Sequence, residues 1–230
     1  MSALLTATRN AHKAREIQQV LGGDFQYLTL NDFPGAPVIA EDAPTFAGNA
    51  AKKANGLVDW LMANPHLILA TTTIPKGCFY VLADDSGLEV DALEGAPGVH
   101  SARFAGLGAS GTVNSSDSDN NAKLLRLLKE IPTERRTARF RCVLAVRKLV
   151  LSEAEDKQIA SEPEARLFEG VCEGRISFEA AGKNGFGYDP LFVPEGHTQS
   201  FAELGDEVKN GMSHRAKALW KLKEYVGVEG

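Results

Sequence analysis

The sequence predicts an α/β fold built on an elongated central mixed β-sheet. Short apolar runs alternate with stretches of helical period along its 230 residues. The run 137–150, TARFRCVLAVRKLV, alternates Ala138, Phe140, Cys142, Leu144 and Val146 on one face, as a long strand does. Residues 165–173 read as its hairpin partner, so antiparallel strands must enter a sheet whose other strands interleave with helices.

The elements follow in order. Residues 2–8, SALLTAT, read as a short buried strand. Residues 11–21 form a helix with Ala14, Ile17, Val20 and Leu21 on one face, and Gly22-Gly23 stops it. Residues 25–30, FQYLTL, form a second strand. The connection DFPGAP leads into a helix over 45–63, with Phe46, Ala50, Leu57, Leu61 and Met62, which Asn64-Pro65 ends. Residues 79–83, FYVLA, form an apolar strand that stops at Asp84-Asp85. A helix over 119–130 sets Ala122, Leu125 and Leu128 in register. A last amphipathic helix covers 213–225, with Ser213 as its N-cap. Segments 64–78 and 151–164 read as surface excursions. There is no internal repeat, and 1–230 is expected to be one domain.

Composition excludes several function classes. Lys+Arg number 25 against 30 Asp+Glu, a net charge of −5, so the basic field of a general nucleic-acid or membrane-surface binder is absent. With 43% hydrophobic and 24% charged residues, the chain is globular rather than disordered. Cys78, Cys142 and Cys172 are far apart without a CxxC pair, and read as buried free thiols rather than a disulfide or zinc framework. The first residues, MSALLTATRNAHK, lack the basic and apolar regions of a signal peptide. No apolar run approaches the ~20 residues of a membrane span. The expected compartment is the cytoplasm.

Four polar clusters sit at the edges of apolar elements. In Thr8-Arg9-Asn10-Ala11-His12-Lys13, backbone N–H groups at a helix start stand beside a lysine, a combination suited to an anion. In ADDSGLEVDALEGAPG, residues 83–98, Asp84 and Asp85 end a strand where α/β sheets place ligands. Adjacent carboxylates repel unless a cation joins them, and Ser86-Gly87 is read as a sharp turn. In GKNGFGYDP, residues 182–190, glycines are interleaved with Phe186 and Tyr188, and Phe186 could stack on a base. In KNGMSHR, residues 209–215, Lys209, His214 and Arg215 bracket a helix start, where cations oppose the dipole unless an anion is present. Taken singly, each cluster also fits a plain turn or a solvated charged face.

Other features carry less. Residues 106–111 fit GxGxxG but follow no clear strand and open no helix. Asn114-Ser115-Ser116 is a glycosylation sequon with no use in the cytoplasm. His66, His100 and His197 lack metal-ligand spacing and read as structural.

Together the clusters resemble the inosine triphosphate pyrophosphatase-like family of non-standard purine nucleoside triphosphate pyrophosphatases. The stretches are ATRNAHKAREIQQVL, TFAGNAAKKA, ADDSGLEVDALEGAPGVHSARFAG, TARFRCVLAV and GKNGFGYDPLFVPEGHTQSFAELGDEVKNGMSHRAKAL, in family order over well more than half the chain. The resemblance implies two lobes around a nucleotide cleft. It implies Mg²⁺-dependent hydrolysis of ITP, dITP and XTP to monophosphate and pyrophosphate, and a homodimer. By matching position, Thr8 to Lys13 and Lys53 would hold the triphosphate. Asp85 would be general base and metal ligand, supported by Asp84 and Glu41. Ser86 would contact substrate, and Phe186, Gly187, Tyr188 and Asp189 would line the base and sugar pocket. Lys209, His214 and Arg215 would complete phosphate and base recognition. Arg9 stands where a glycine is common, and Gly48 where a glutamate is common, which leaves Glu41, with Asp42 adjacent, as the acidic group of that segment. Three alternatives are weighed against this. Maf-type pyrophosphatases of modified pyrimidines lack the SHR and FGYD stretches. A nucleotide-binding regulator without catalysis needs a damaged acidic centre. A structural module leaves the polar clusters unexplained.

Overall fold

The computed structural model describes residues 2–23, 25–71, 77–107, 114–151 and 159–228. Parts of both expected excursions (72–76 and 152–158) and of the GxGxxG stretch (108–111) lie outside these. The strands are β1 (Ser2–Thr6), β2 (Phe25–Thr29), β3 (Gly77–Val90), β4 (Thr137–Leu151), β5 (Ile159–Ser161), β6 (Arg166–Ile176) and β7 (Phe192–Pro194). The α-helices are α1 (Ala11–Leu21), α2 (Phe46–Ala63), α3 (Pro65–Thr71), α4 (Asp117–Leu127), α5 (Phe201–Asn210) and α6 (His214–Val228). Strand order is β2-β1-β3-β4-β6-β7, with β5 on β4. β1 is parallel to β2 and β3, whereas β4–β5 and β6–β7 are antiparallel, so the sheet is mixed as expected.

The chain forms two compact units. One comprises Met1–Asp85, Val143–Phe168 and Leu219–Gly230; the other comprises Ser86–Cys142 and Glu169–Ala218. In the first, the apolar side of α2 (Leu57, Val58, Leu61) packs with Ala3 and Leu5 of β1, Phe79 and Val81 of β3, and Leu149. In the second, Leu88, Val90, Ala138, Phe140 and Ile176 pack with Leu124, Tyr188, Phe192 and Phe201. Every passage between units falls inside a regular element: β3, β4, β6 and α6.

Several expectations need correction. β3 does not stop at Asp84-Asp85 but runs fourteen residues to Val90, and Ser86-Gly87 is strand rather than turn. Asp, Ser and Gly are weak strand formers, and sheet pairing overrides that preference. Met62, placed on the apolar face of α2, is 38% exposed. Part of 64–78 is helix α3, with Ile68 fully buried. Helix α5 was not foreseen, although Ser200 and Glu203 form a capping box, its standard start signal. Ser213 does cap α6, accepting the Ala216 N–H at 3.2 Å. Cys142 and Cys172 are buried free thiols and Cys78 is half-buried. Burial pushes the Cys172 thiol up to about 11, which leaves it protonated and inert. His66 and His100 are exposed rather than structural.

Candidate active site

The first group of site residues is built by α1, α2 and β3. Thr8 Oγ1 accepts the Asn10 N–H at 3.0 Å, and Asn10 Oδ1 accepts the N–H groups of His12 and Lys13 at 2.9 and 3.3 Å. Asn10 is thus the N-cap of α1, and no acidic residue occupies the first turn. A bound anion would compete with the Asn10 carboxamide for these N–H groups. Arg9, Asn10, Ala11 and His12 are exposed, and Arg9 Nη2 reaches the Ala36 carbonyl at 3.5 Å.

The two carboxylates of β3 have different lysines. Lys13 Nζ lies 2.5 Å from Asp84 Oδ1. Lys53, buried on α2, donates to the Asp84 carbonyl at 2.7 Å and lies 3.4 Å from Glu41 and 3.7 Å from Asp85. Asp85 Oδ2 is buried with no hydrogen-bond partner among the described residues. Burial raises the Asp85 carboxyl to about 6; Lys53 and then Lys13 oppose the rise, Glu41 adds to it, and the Asn49 side-chain amide opposes it least. Asn49, fully buried on α2, accepts the Ala43 N–H at 2.9 Å and anchors the segment that follows Glu41. It stands in TFAGNA, yet its role was not foreseen; a polar residue amid the apolar side of a helix was the available signal.

The second group lies in the other unit. Arg215 is 2% exposed, and its Nη2 lies 3.3 Å from Ser86 Oγ. His214 stacks on Phe140 at 4.7 Å between ring centroids. Both belong to a buried helix start rather than a solvated basic face. In the GFGYD loop, Asp189 Oδ2 accepts the Phe186 N–H at 2.9 Å and Lys209 Nζ at 2.6 Å. Lys209 also sits 4.6 Å from the Phe186 ring centroid, and the Arg215 guanidinium 5.8 Å from it. Phe186 is therefore a half-exposed aromatic face backed by cations. Tyr188 is buried, and its hydroxyl donates to the Ser101 carbonyl at 2.9 Å. Ser101, a residue of the SAR stretch not singled out before, accepts the Leu88 N–H at 2.9 Å and donates to the Gly98 carbonyl at 2.6 Å. Asp189, Tyr188 and Lys209 thus hold the loop, while Phe186 keeps a half-exposed ring.

The residues fit a hard divalent cation of the Mg²⁺ type. Asp85 Oδ2 is an acceptor without a hydrogen-bond partner among the described residues; Asp84 precedes it on β3, and Lys53 lies 3.7 Å from Asp85 and 3.4 Å from Glu41. No cluster of three acidic, His or Cys ligands occurs among the described residues. Magnesium ordinarily takes only one or two carboxylates and completes its shell with waters and phosphate oxygens, so a sparse set is the expected kind.

A profile of the Ham1 family matches residues 4–225. A protein named dITP/XTP pyrophosphatase from Desulforamulus reducens is 44% identical over 96% of this chain and 94% of its own length. One of the same name from Geobacter sulfurreducens is 43% identical over 100% and 99%. Among solved structures, a HAM1 protein from Coxiella burnetii has a TM-score of 0.73 at 33% identity, covering 99% of each chain. A nucleoside-triphosphatase / dITP/XTP pyrophosphatase from Mycobacterium abscessus gives 0.61 at 35% identity, covering 96% of this chain and 98% of its own. A family match over nearly the whole length, with relatives above 40% identity, means that this chain belongs to the Ham1 family.

Proposed function

We propose that this chain hydrolyses non-standard purine nucleoside triphosphates, ITP, dITP and XTP, to the monophosphate and pyrophosphate. The observation that carries the reading is Asp85: a buried carboxylate raised to about 6, with one oxygen lacking a hydrogen-bond partner among the described residues, and Lys53 between it and Glu41. A carboxylate so raised is a better base near neutral pH than an ordinary aspartate. The names and coverage of the relatives support the same reading.

Asp85 Oδ2 takes a proton from a water whose oxygen attacks the α-phosphorus. The bond from that phosphorus to the α–β bridging oxygen breaks, and pyrophosphate leaves with the electron pair. Lys13, Lys53 and the N–H groups of the Thr8–Lys13 turn hold its charge. Mg²⁺ held by Asp85, with Asp84 and Glu41 in support, would neutralise the triphosphate. Lys53 keeps Glu41 and Asp85 close despite their like charge. Phe186 offers its ring to the purine, Ser86 and Gly187 contact the nucleoside, and Tyr188, Asp189 and Lys209 shape the pocket. His214 and Arg215 present donors to the base.

We also propose that the whole chain is one catalytic domain acting as a homodimer in the cytoplasm. The four passages between units inside regular elements support the first point. Among the described residues no helix is long and apolar enough to cross a membrane. The deciding experiment is turnover of a nucleotide panel with separate assays for pyrophosphate and phosphate. Pyrophosphate from ITP, lost with EDTA and restored by Mg²⁺, is expected; phosphate as the sole primary product would overturn the assignment. Light scattering should give twice the mass of one chain.

A further inference from the structure

Helix α4 grips Gly187 at both of its peptide groups. Asp117 Oδ2 accepts the Gly187 N–H at 2.7 Å, and Asn121 Nδ2 donates to the Gly187 carbonyl at 2.9 Å. The two residues are four apart and share one face of the helix. Gly187 has φ +62°, in the left-handed region, so this is a tight reversal between Phe186 and Tyr188. Its N–H belongs to the peptide plane shared with Phe186, and its carbonyl to the plane shared with Tyr188. Fixing both planes fixes the directions in which the two aromatic side chains leave the backbone.

The helix is itself anchored. Asn120 Oδ1 accepts the Ala105 N–H at 2.8 Å, and its Nδ2 donates to the Ala102 carbonyl at 3.3 Å. Lys123 Nζ donates to the Phe104 carbonyl at 2.6 Å. Residues 102–105 follow Ser101, whose carbonyl receives the Tyr188 hydroxyl. The bonds close a ring: from Gly187 to α4, to the segment after Ser101, and back through Tyr188. Within that ring Tyr188 has an anchor on its own side chain. Phe186 has Lys209 Nζ 4.6 Å from its ring centroid, and its backbone is held by Asp189 at its own N–H and by α4 at the next one.

We propose that Asp117 and Asn121 are positioning residues for base recognition, holding Phe186 as the platform on which the purine stacks. The proposal rests on the reading that this loop receives a purine base. It adds that selectivity for the base is set in part by a helix that need not touch it.

Four variants test this: Asn121→Ala, Asp117→Ala, Asp117→Asn, and Asp119→Ala as a control in the same first turn. Asp119 bonds Ser116 rather than Gly187. For Asn121→Ala we expect KM for ITP to rise about tenfold with kcat within about threefold, as loss of one part-buried hydrogen bond to the loop implies. Asp117→Asn, which keeps an acceptor oxygen, should recover most of what Asp117→Ala loses, and Asp119→Ala should leave KM unchanged. Inhibition by inorganic tripolyphosphate, which has no base, should be the same in all four. Calorimetric binding of an α,β-imido analogue of ITP should weaken in parallel with KM. An unchanged ITP KM in folded Asn121→Ala overturns the proposal, and so does a matching rise in the tripolyphosphate inhibition constant, which marks general damage. Wild-type protein that binds the analogue with Asn121-dependent affinity but releases no pyrophosphate overturns the proposed reaction and leaves the platform standing. Failure to bind the analogue at all overturns both.

Discussion

Lys209 Nζ lies 2.6 Å from Asp189 Oδ2, with the two side chains only 3% and 2% exposed. The same carboxylate oxygen accepts the Phe186 N–H. An ion pair this deep is weak evidence for stability, because both charges lose their hydration, but either charge left alone is costly. Lys209→Met and Asp189→Asn should each destabilise the protein by about 3–5 kcal/mol. The double variant should lose much less than the sum, since no lone charge remains. Chemical denaturation of the four proteins checks this. Additive losses would show that the pair is not coupled.

Asp85 combines stability and activity with opposite signs. Its folded value, about 6, stands above the ordinary 3.8. Between these two values the folded protein binds more protons than the unfolded chain, so its stability falls as pH rises through that window. Asp85→Asn removes the ionisation. In metal-free buffer the variant should gain melting temperature relative to wild type as pH rises from about 4 to about 6 and hold the gain above that. Turnover should fall by about 10²–10⁴-fold, the range for a lost general base. A variant less stable than wild type at pH 8, or one with native turnover, contradicts this account.

Lys53 opposes the rise of Asp85, and more strongly than Lys13 does. Lys53→Met keeps most of the buried volume and removes that cation. Glu41 and Asp85 then face each other without the ammonium between them, and the Asp84 carbonyl loses its donor. The acid limb of the kcat/KM profile for ITP should move to higher pH, together with weaker triphosphate binding. A profile with an unmoved acid limb would separate that limb from Asp85.

Much of this architecture was legible residue by residue. The alternation of β4, the apolar stripe of α2 and the cap at Ser213 are local signals, and each element formed within a few residues of its expected position. The misreadings share a cause. Asp84 to Gly87 looks like a turn because its residues are poor strand formers, yet neighbouring strands supply the hydrogen bonds and two lysines supply the countercharge. Ion partners set by tertiary contact were equally hidden. Nothing in the spacing of Asp189 and Lys209 said that they would meet, so two expected pocket groups proved to hold each other. Asn49, Ser101 and Asn121 act through hydrogen bonds to distant backbone, which no periodicity encodes.

Arg215 bears on base selection. Hypoxanthine and xanthine carry a 6-oxo acceptor where adenine carries a 6-amino donor, and a guanidinium donates but cannot accept. Arg215 is 2% exposed, directed toward Ser86 Oγ at 3.3 Å, with its guanidinium 5.8 Å from the Phe186 ring centroid. A purine stacked on Phe186 would meet it in a partly dried pocket. There, donor facing donor costs roughly 1–3 kcal/mol, about tenfold to a hundredfold in discrimination per group. Guanine shares the 6-oxo group, so rejection of GTP must arise near position 2 of the ring. ITP and XTP should exceed ATP and GTP by about two decades in kcat/KM. Arg215→Ala should depress ITP hydrolysis far more than ATP hydrolysis and narrow their ratio, while Arg215→Lys, still a donor but without the planar fork, should fall between. An equal loss on both substrates would make Arg215 a phosphate or scaffold residue. Discrimination at position 6 would then fall to His214, its partner at the start of α6.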